Sequence, residues 1–252
     1  MKNYLSALKY CYENGDFVKS RAGNVKKAFG YQMRFDLEKG FPAVTTKKLA
    51  WKAMVSELLW FLEGSNDERR LAEILYEDDR ENLEDKKTIW TQNAKADYWK
   101  NKSNFDGDVG KIYGVQWRDF NGVDQIKNLI KGLKESPHSR RHILTAWNPA
   151  ELDEMSLPPC HAFSQFYVSN NKLSCQLYQR SCDMFLGVPF NIASYSILIH
   201  ILAKECGYEV GDFIHSLGDF HIYEEHFEQV KIQLKREPKK LPILKFNQKN
   251  IN

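Results

Sequence analysis

Apolar side chains recur at helical spacing from the first residues of the chain. Tyr4, Leu5, Leu8 and then Cys11 or Tyr12 predict an amphipathic helix over residues 2–13, stopped at Asn14-Gly15. A basic stretch from Ser20 to Lys27 reads as a loop, and Phe29 to Leu37 alternates enough to predict a strand. Ala50 to Leu62 is apolar at helical period with Glu57 set inside it, and Gly64 marks its end. Residues 64–110 break the pattern with an acidic run, Glu77 to Asp85, and the Lys/Asn/Asp-rich Lys95 to Asp108. Such composition predicts solvated helix or loop, an embellishment or lid on a single domain spanning residues 1–252. A helix follows over Asp124 to Leu133, then strands over Arg141 to Trp147, Ala162 to Ser169 and Lys172 to Tyr178, then a strongly apolar helix over Ile192 to Cys206. The mixture predicts an α+β fold with a mostly non-parallel sheet.

Composition narrows what such a fold can do. The 252 residues are 42% hydrophobic and 13% aromatic, enough for a sizeable core. Lys and Arg number 36 against 33 Asp and Glu, a balance of +3 that predicts no requirement for nucleic acid. The five cysteines, Cys11, Cys160, Cys175, Cys182 and Cys206, form no C-x-x-C pair, so neither a disulfide framework nor a structural metal site is expected. A reducing, cytoplasmic setting fits. The polar N-terminus lacks a signal peptide's apolar core, and no stretch approaches the roughly 18 apolar residues of a membrane span.

The candidate chemistry is concentrated in one region. Pro158-Pro159-Cys160-His161 places a thiol in a turn ahead of a strand, where a side chain can be exposed at a sheet edge. A thiol becomes a nucleophile when cations favour the thiolate, and Arg140, Arg141 and Arg180 are the candidates if the fold gathers them. Cys160 is otherwise an ordinary buried cysteine, as Cys175 and Cys182 are expected to be. His161 reads as a base or as a structural residue. Arg140-Arg141 and Gln179-Arg180-Ser181 offer guanidinium forks and a hydroxyl suited to phosphate oxygens, or simply a solvated face. Asn191 is either a helix N-cap or a base reader, since one amide can donate to a carbonyl and accept from an N–H, matching uracil's O4 and N3 edge. Glu57 is paired, functional or on the helix's polar edge; burial would raise its pKa toward neutrality. His221 and Tyr223 lie two apart, as hydroxyl-binding groups or a plain strand end.

Together these segments closely resemble the thymidylate synthase family, which includes the pyrimidine-nucleotide hydroxymethylases. The resemblance runs through Gly40 to Lys48, Glu57 to Leu62, Tyr113 to Arg118, Ser139 to Arg141, Pro158 to His161, Leu173 to Tyr195 and Gly218 to Tyr223. It implies a large mixed sheet covered by helices, a homodimer joined across the sheet face, and 5,10-methylenetetrahydrofolate as the one-carbon donor, with no metal. By the same resemblance Cys160 would add to C6 of dUMP, making C5 nucleophilic. Arg21, Arg180 and Ser181 would hold the phosphate, joined by Arg140 and Arg141 from the partner subunit. Asn191 would read uracil, and His221 and Tyr223 the deoxyribose hydroxyl. Glu57 would organise proton transfer and water, Tyr113 would assist removal of the C5 proton, and Trp90 and Asp183 would flank the folate.

Three departures from the family bear on the product. Ala22-Gly23-Asn24-Val25-Lys26-Lys27 lacks the second glycine of the synthases' loop, and Thr91-Gln92-Asn93-Ala94 lacks the acidic residue they usually place beside the tryptophan. The sequence stops at Pro242 to Asn252, where synthases continue to an apolar tail that shields the exocyclic methylene during hydride transfer. Phage dCMP hydroxymethylases share the loop and tail departures. The expectation is therefore a phage-type dUMP hydroxymethylase giving 5-hydroxymethyl-dUMP, with a thymidylate synthase giving dTMP and dihydrofolate as the alternative. A catalytically retired nucleotide-binding homologue is the remote one.

Overall fold

A computed structural model describes residues 1–20 and 23–247 of the chain. The helices are α1 (Lys2–Asn14), α2 (Trp51–Glu63), α3 (Glu68–Tyr76), α4 (Thr91–Ala94), α5 (Asp97–Lys100), α6 (Tyr113–Arg118), α7 (Gln125–Glu135), α8 (Gly187–Cys206) and α9 (Phe227–Leu234). The strands are β1 (Asp16–Ser20), β2 (Gly23–Asp36), β3 (Ile143–Thr145), β4 (His161–Ser169), β5 (Lys172–Asp183) and β6 (Glu209–Tyr223). They form one sheet in the order β1-β2-β6-β5-β4-β3, antiparallel at every junction except the parallel pair β5 and β6. That parallel pair needs a long crossover, which α8 supplies. The α8 helix is apolar nearly all round, as a helix buried beneath a sheet must be.

The mixed α+β architecture agrees with the sequence pattern, and so do α1, α2, α7 and the stop at Gly64. Four boundaries differ. The basic stretch Ser20 to Lys27 is chiefly strand, since β2 begins at Gly23 and pairs back on β1; Arg21 lies outside the described residues. The expected strand over Arg141 to Trp147 contracts to β3, while β5 runs on to Asp183 because β6 pairs with it through Ser181↔Asp219 and Asp183↔His221. The α8 helix starts at Gly187, since Pro189 falls in its first turn where no N–H is needed. Asn191 is consequently inside the helix and not its N-cap. Nor is the 64–110 region only a solvated embellishment: Leu71, Leu83, Trp90, Trp99 and Val109 are buried.

A change of face in three neighbouring strands shapes the sheet. In β5 the buried positions are Leu173, Cys175, Leu177 and Gln179 and then, after a step of three, Cys182. In β6 Phe213, His215 and Leu217 alternate inward and then, after a step of three, Phe220 and Ile222, with Ile214 and Gly218 also buried. Register aligns the two steps, Gln179 with Leu217 and Cys182 with Phe220. Beside them in β2, Gly30 takes φ +79°, a conformation that other residues adopt only at a cost. The step turns Ser181, Asp219, His221 and Tyr223 toward a common cavity.

On the face opposite the helices, Phe29, Phe163, Tyr167 and Tyr178 are exposed at 81%, 39%, 61% and 42%. A cluster of open aromatic side chains is the kind of surface that associates. The C-terminal stretch crosses the Gly40–Thr46 loop, where Pro242 O accepts from Phe41 N–H at 2.8 Å and Thr45 Oγ1 from Lys239 N–H at 3.0 Å. Its last described aromatic, Phe246, lies near His200 and Lys204 on α8.

Helices α2 and α6 meet at Gly114, where a Cβ would stand 2.9 Å from both the Cα and the carbonyl oxygen of Phe61. The close approach seats Tyr113 against the Phe61 ring, centroids 4.9 Å apart. Gly114→Ala is expected to force the helices apart and destabilise the fold by about 1–3 kcal/mol. Urea unfolding monitored by circular dichroism checks this; an unchanged midpoint would show that the contact yields freely.

Candidate active site

Cys160 precedes β4 and lies opposite the end of β5, where its carbonyl accepts from Arg180 N–H at 2.8 Å. Its own N–H donates to the Tyr113 hydroxyl at 2.7 Å. The residue is partly exposed, and the side chains of Tyr113 and Ser181 stand within hydrogen-bonding reach of its thiol. Burial pushes its pKa up, opposed by the Arg180 charge and those two side chains. Cys175 and Cys182 are buried and their thiols are pushed up more strongly, the inert behaviour expected of core cysteines. All five cysteines are free thiols.

Arg180 holds the turn that presents the thiol. Its Nε donates to Pro159 O at 2.8 Å and its Nη2 to Pro158 O at 2.7 Å, and its guanidinium stands over the Trp147 ring. Arg180 also lines a cavity of about 250 Å³ with Ser181, His221, Tyr223, Val25, Lys27 and Asp219. His221 Nδ1 lies 3.2 Å from Asp219 Oδ1, and Lys27 Nζ donates to Asp219 Oδ2 at 2.8 Å. The structure thus brings Arg180, Ser181, His221 and Tyr223 together and adds a lysine and a carboxylate that the hydrophobic pattern does not single out. Their signal was the alternation of Val25 and Lys27, legible only once that stretch is a strand. Arg140 and Arg141 do not reach this cavity within one chain; both are exposed in the segment before β3 at the sheet's far edge.

Behind the thiol stands a line of buried amides. Gln179 Nε2 donates to Asn191 Oδ1 at 3.1 Å, and Gln179 Oε1 faces His215 Nε2 at 2.8 Å. Burial pushes His215 down to about 3, so it is neutral and its Nε2 carries the proton given to Gln179. That proton sets the orientation of both amides. Gln179 therefore sits behind Asn191 as its support, and His215 joins it without any forewarning in the apolar alternation of β6. Asp183 Oδ1 accepts from the N–H groups of Phe185 and Leu186, fastening the approach to α8.

On the other side lies a buried carboxyl. Glu57, in α2, accepts from the Trp90 indole N–H at 2.7 Å and is 6% exposed. Burial raises it to about 7, with the Trp90 hydrogen bond pulling the other way. It is therefore able to hold or release a proton near neutrality. Tyr113, whose ring lies 6.0 Å from that of Trp90, joins this carboxyl to Cys160. His161 stacks on Tyr113 with centroids 3.9 Å apart and shares a 2.9 Å hydrogen bond with the Tyr195 hydroxyl. Burial pushes His161 down to about 3, so it is a neutral prop for Tyr113 in the geometry present here.

The assembly offers a thiol beside a guanidinium, a carboxyl poised near neutrality, a cation-bearing cavity and a fixed amide edge. Among the described residues no group of His, Cys, Asp and Glu is arranged to hold a metal, and no helix is long and apolar enough to cross a membrane. A family model described as thymidylate synthase matches residues 2–252.

The raised carboxyl carries a stability consequence. A proton bound to Glu57 in the native state stabilises it below the ordinary carboxylate value of 4.5, and this contribution is lost as pH rises through about 7. The stability of the wild type relative to Glu57→Gln is expected to fall by about 3 kcal/mol across that window and then level off. Urea unfolding of both proteins as a function of pH checks the slope; a difference that rises with pH would mean the carboxylate, not the acid, is the favoured native form.

Proposed function

Because the chain belongs to the thymidylate synthase family, whose members transfer a one-carbon unit to dUMP, we propose that it makes 5-hydroxymethyl-dUMP through a Cys160 adduct. The observation that carries the reading is the convergence on the Cys160 thiol of Arg180 and Ser181 from one side and of Tyr113, with Glu57 beyond it, from the other. The thiol sulfur adds to C6 of uracil, which gives C5 the electron density to attack an electrophilic carbon. Arg180 and Ser181 hold the phosphate, together with Arg21 and with Arg140 and Arg141 of the partner subunit. Asn191, its amide oriented by Gln179, donates to O4 and accepts from N3–H of uracil. His221 and Tyr223 take the deoxyribose hydroxyl. Glu57 relays protons and orders water at the base, and Tyr113 assists removal of the C5 proton. His161 supports Tyr113.

The 5,10-methylenetetrahydrofolate cosubstrate supplies the methylene carbon. Trp90 and Asp183 would flank it, and the exposed apolar side chains of Ile89, next to Trp90, and Leu186, next to Gly187, would suit the face of a planar heterocycle. The residues after Trp90 support the hydroxymethyl product: Gln92 is exposed and Asn93 half-buried, a polar border that admits water. Bond formation between C5 and the methylene carbon, followed by loss of the C5 proton, would expel tetrahydrofolate with the electron pair of the carbon–nitrogen bond and leave an exocyclic methylene; water would add to that methylene, and the thiolate would leave C6 to restore the ring. The open aromatic face of the sheet supports a homodimer, which would bring the far-edge arginines of one chain to the cavity of the other.

Release of tritium from C5-labelled dUMP in the presence of the folate tests the transfer, and chromatography of the nucleotide tests the product. Tetrahydrofolate with 5-hydroxymethyl-dUMP is expected. Formation of dTMP and dihydrofolate would replace the hydroxymethylase reading with that of a thymidylate synthase, and no release at all would point to a retired nucleotide-binding homologue.

Cys160→Ala is expected to abolish turnover while dUMP binding by calorimetry persists, because the phosphate and base contacts remain; turnover in this variant would remove the thiol from the first step. Asn191→Asp is expected to shift preference toward dCMP, since a protonated carboxyl can accept from the cytosine amine and donate to N3. Undiminished selectivity for dUMP would separate Asn191 from base recognition.

A further inference from the structure

Glu68 is a buried carboxylate that the reaction does not touch. It opens α3 and is 1% exposed, yet it accepts four hydrogen bonds. Arg69 donates through Nε and Nη2, both at 2.6 Å, Thr88 through its hydroxyl at 2.6 Å, and Thr91 through its hydroxyl at 2.5 Å. The Glu68 N–H donates to Gly107 O at 2.8 Å, and Arg69 Nη1 reaches Leu83 O and Lys86 O, both at 3.0 Å. Burying an ion pair is costly, and one so fully satisfied holds its surroundings in a single arrangement.

What it holds is the segment that carries Trp90. The Trp90 N–H donates to Thr88 Oγ1 at 3.1 Å, and the Thr88 N–H to Thr91 Oγ1 at 2.8 Å, so both hydroxyls that grip Glu68 also fix the backbone on either side of the indole. The indole N–H then ends on Glu57 at 2.7 Å. We propose that Glu68 is a positioning residue for Glu57, acting through Thr88, Thr91 and Trp90. The path runs from the Glu68 carboxylate to the threonine hydroxyls, to the Trp90 backbone, and through the rigid ring to Oε1 of Glu57. The other titratable groups facing Glu57 are the buried hydroxyls of Tyr113 and Tyr195, both raised by burial and so protonated. Arg69 is the charged partner of Glu68 itself. An indole displaced by loss of this clamp withdraws a hydrogen bond that favours the charged form of Glu57, and its pKa moves up.

The inference rests on the role assigned to Glu57 in the transfer reaction, and two readouts separate the two claims. Glu68→Gln breaks the clamp at its source. Thr88→Val cuts the relay and leaves the Glu68–Arg69 pair in place should Glu68→Gln fail to fold. In both, kcat is expected to fall about 10- to 100-fold with KM for dUMP little changed, as for a displaced proton-transfer group. Trp90→Phe is expected to lose as much, and adding Thr88→Val to it nothing further. Independently of turnover, the Trp90 indole N–H resonance follows the ionisation of Glu57 in a pH titration, and its midpoint is expected to move upward in Glu68→Gln and Thr88→Val. An unmoved midpoint, or losses that multiply in the Trp90→Phe background, would overturn the proposal. Absence of turnover in the wild type would sink the function of Glu57 instead, and the indole titration would still decide the clamp.

Discussion

Polar side chains can be offered from the middle of a covered sheet only where the strands change the face they bury. Strict alternation would send Ser181, Asp219 and His221 to the side occupied by Leu177 and Leu217. The step of three in β5 and β6, in register with each other and with Gly30 in β2, prevents that. Hydrophobic burial still holds the sheet together on both sides of the step, through Leu177 and Leu217 before it and Cys182 and Phe220 after it. The cavity exists because the apolar pattern slips, and it slips in three strands at one level.

From that level the two halves of the site are held by different physics. The cavity half is electrostatic and partly open: Lys27 and Asp219 are each about two-fifths exposed, so their pairing is screened and contributes chiefly by fixing His221. The Glu57 half is closed. There the carboxyl is held by desolvation and one indole hydrogen bond, and small displacements change its proton affinity because little water remains to compensate. Tyr113 bridges the two, bonded to Cys160 and seated on Phe61 through the close approach at Gly114. The same stretch that reads as polar and solvated, residues 64–110, delivers Trp90 to the closed half.

What was legible in the sequence follows from how each residue departs from its surroundings. Glu57 stands out as an acid inside an apolar helix, and its burial is what that anomaly predicts. Cys160 between prolines and a strand likewise marks its own turn. The ends of β5 and β2 were illegible because Gln179-Arg180-Ser181 and Lys26-Lys27 look like loop, yet these strands keep pairing while their polar residues face a cavity. Asn191 was ambiguous for a related reason. An amide before an apolar helix is a good N-cap, and only the three-dimensional approach of Gln179 shows that it lies a turn inside. Glu68 and Arg69 were hidden by composition, since adjacent charges in an acidic, basic stretch predict solvent and not a buried pair.

To act as proposed, the Cys160 thiol must lose a proton that its burial favours. Burial outweighs Arg180 at Cys160, so the thiol rests protonated. Arg180 already spends two of its donors on the carbonyls of Pro158 and Pro159, and a phosphate dianion drawn to the same guanidinium would offset more of its positive field. In the proposed reaction a single arginine would have both to bind the substrate's charge and to favour the thiolate. Among the described residues Lys27 is the lysine that lines that cavity beside Arg180, and it is already engaged by Asp219. Arginines from the far edge of a second sheet would meet that demand in the proposed dimer, which would make activation of the thiol, and not only stability, a reason for two chains to meet across the open face.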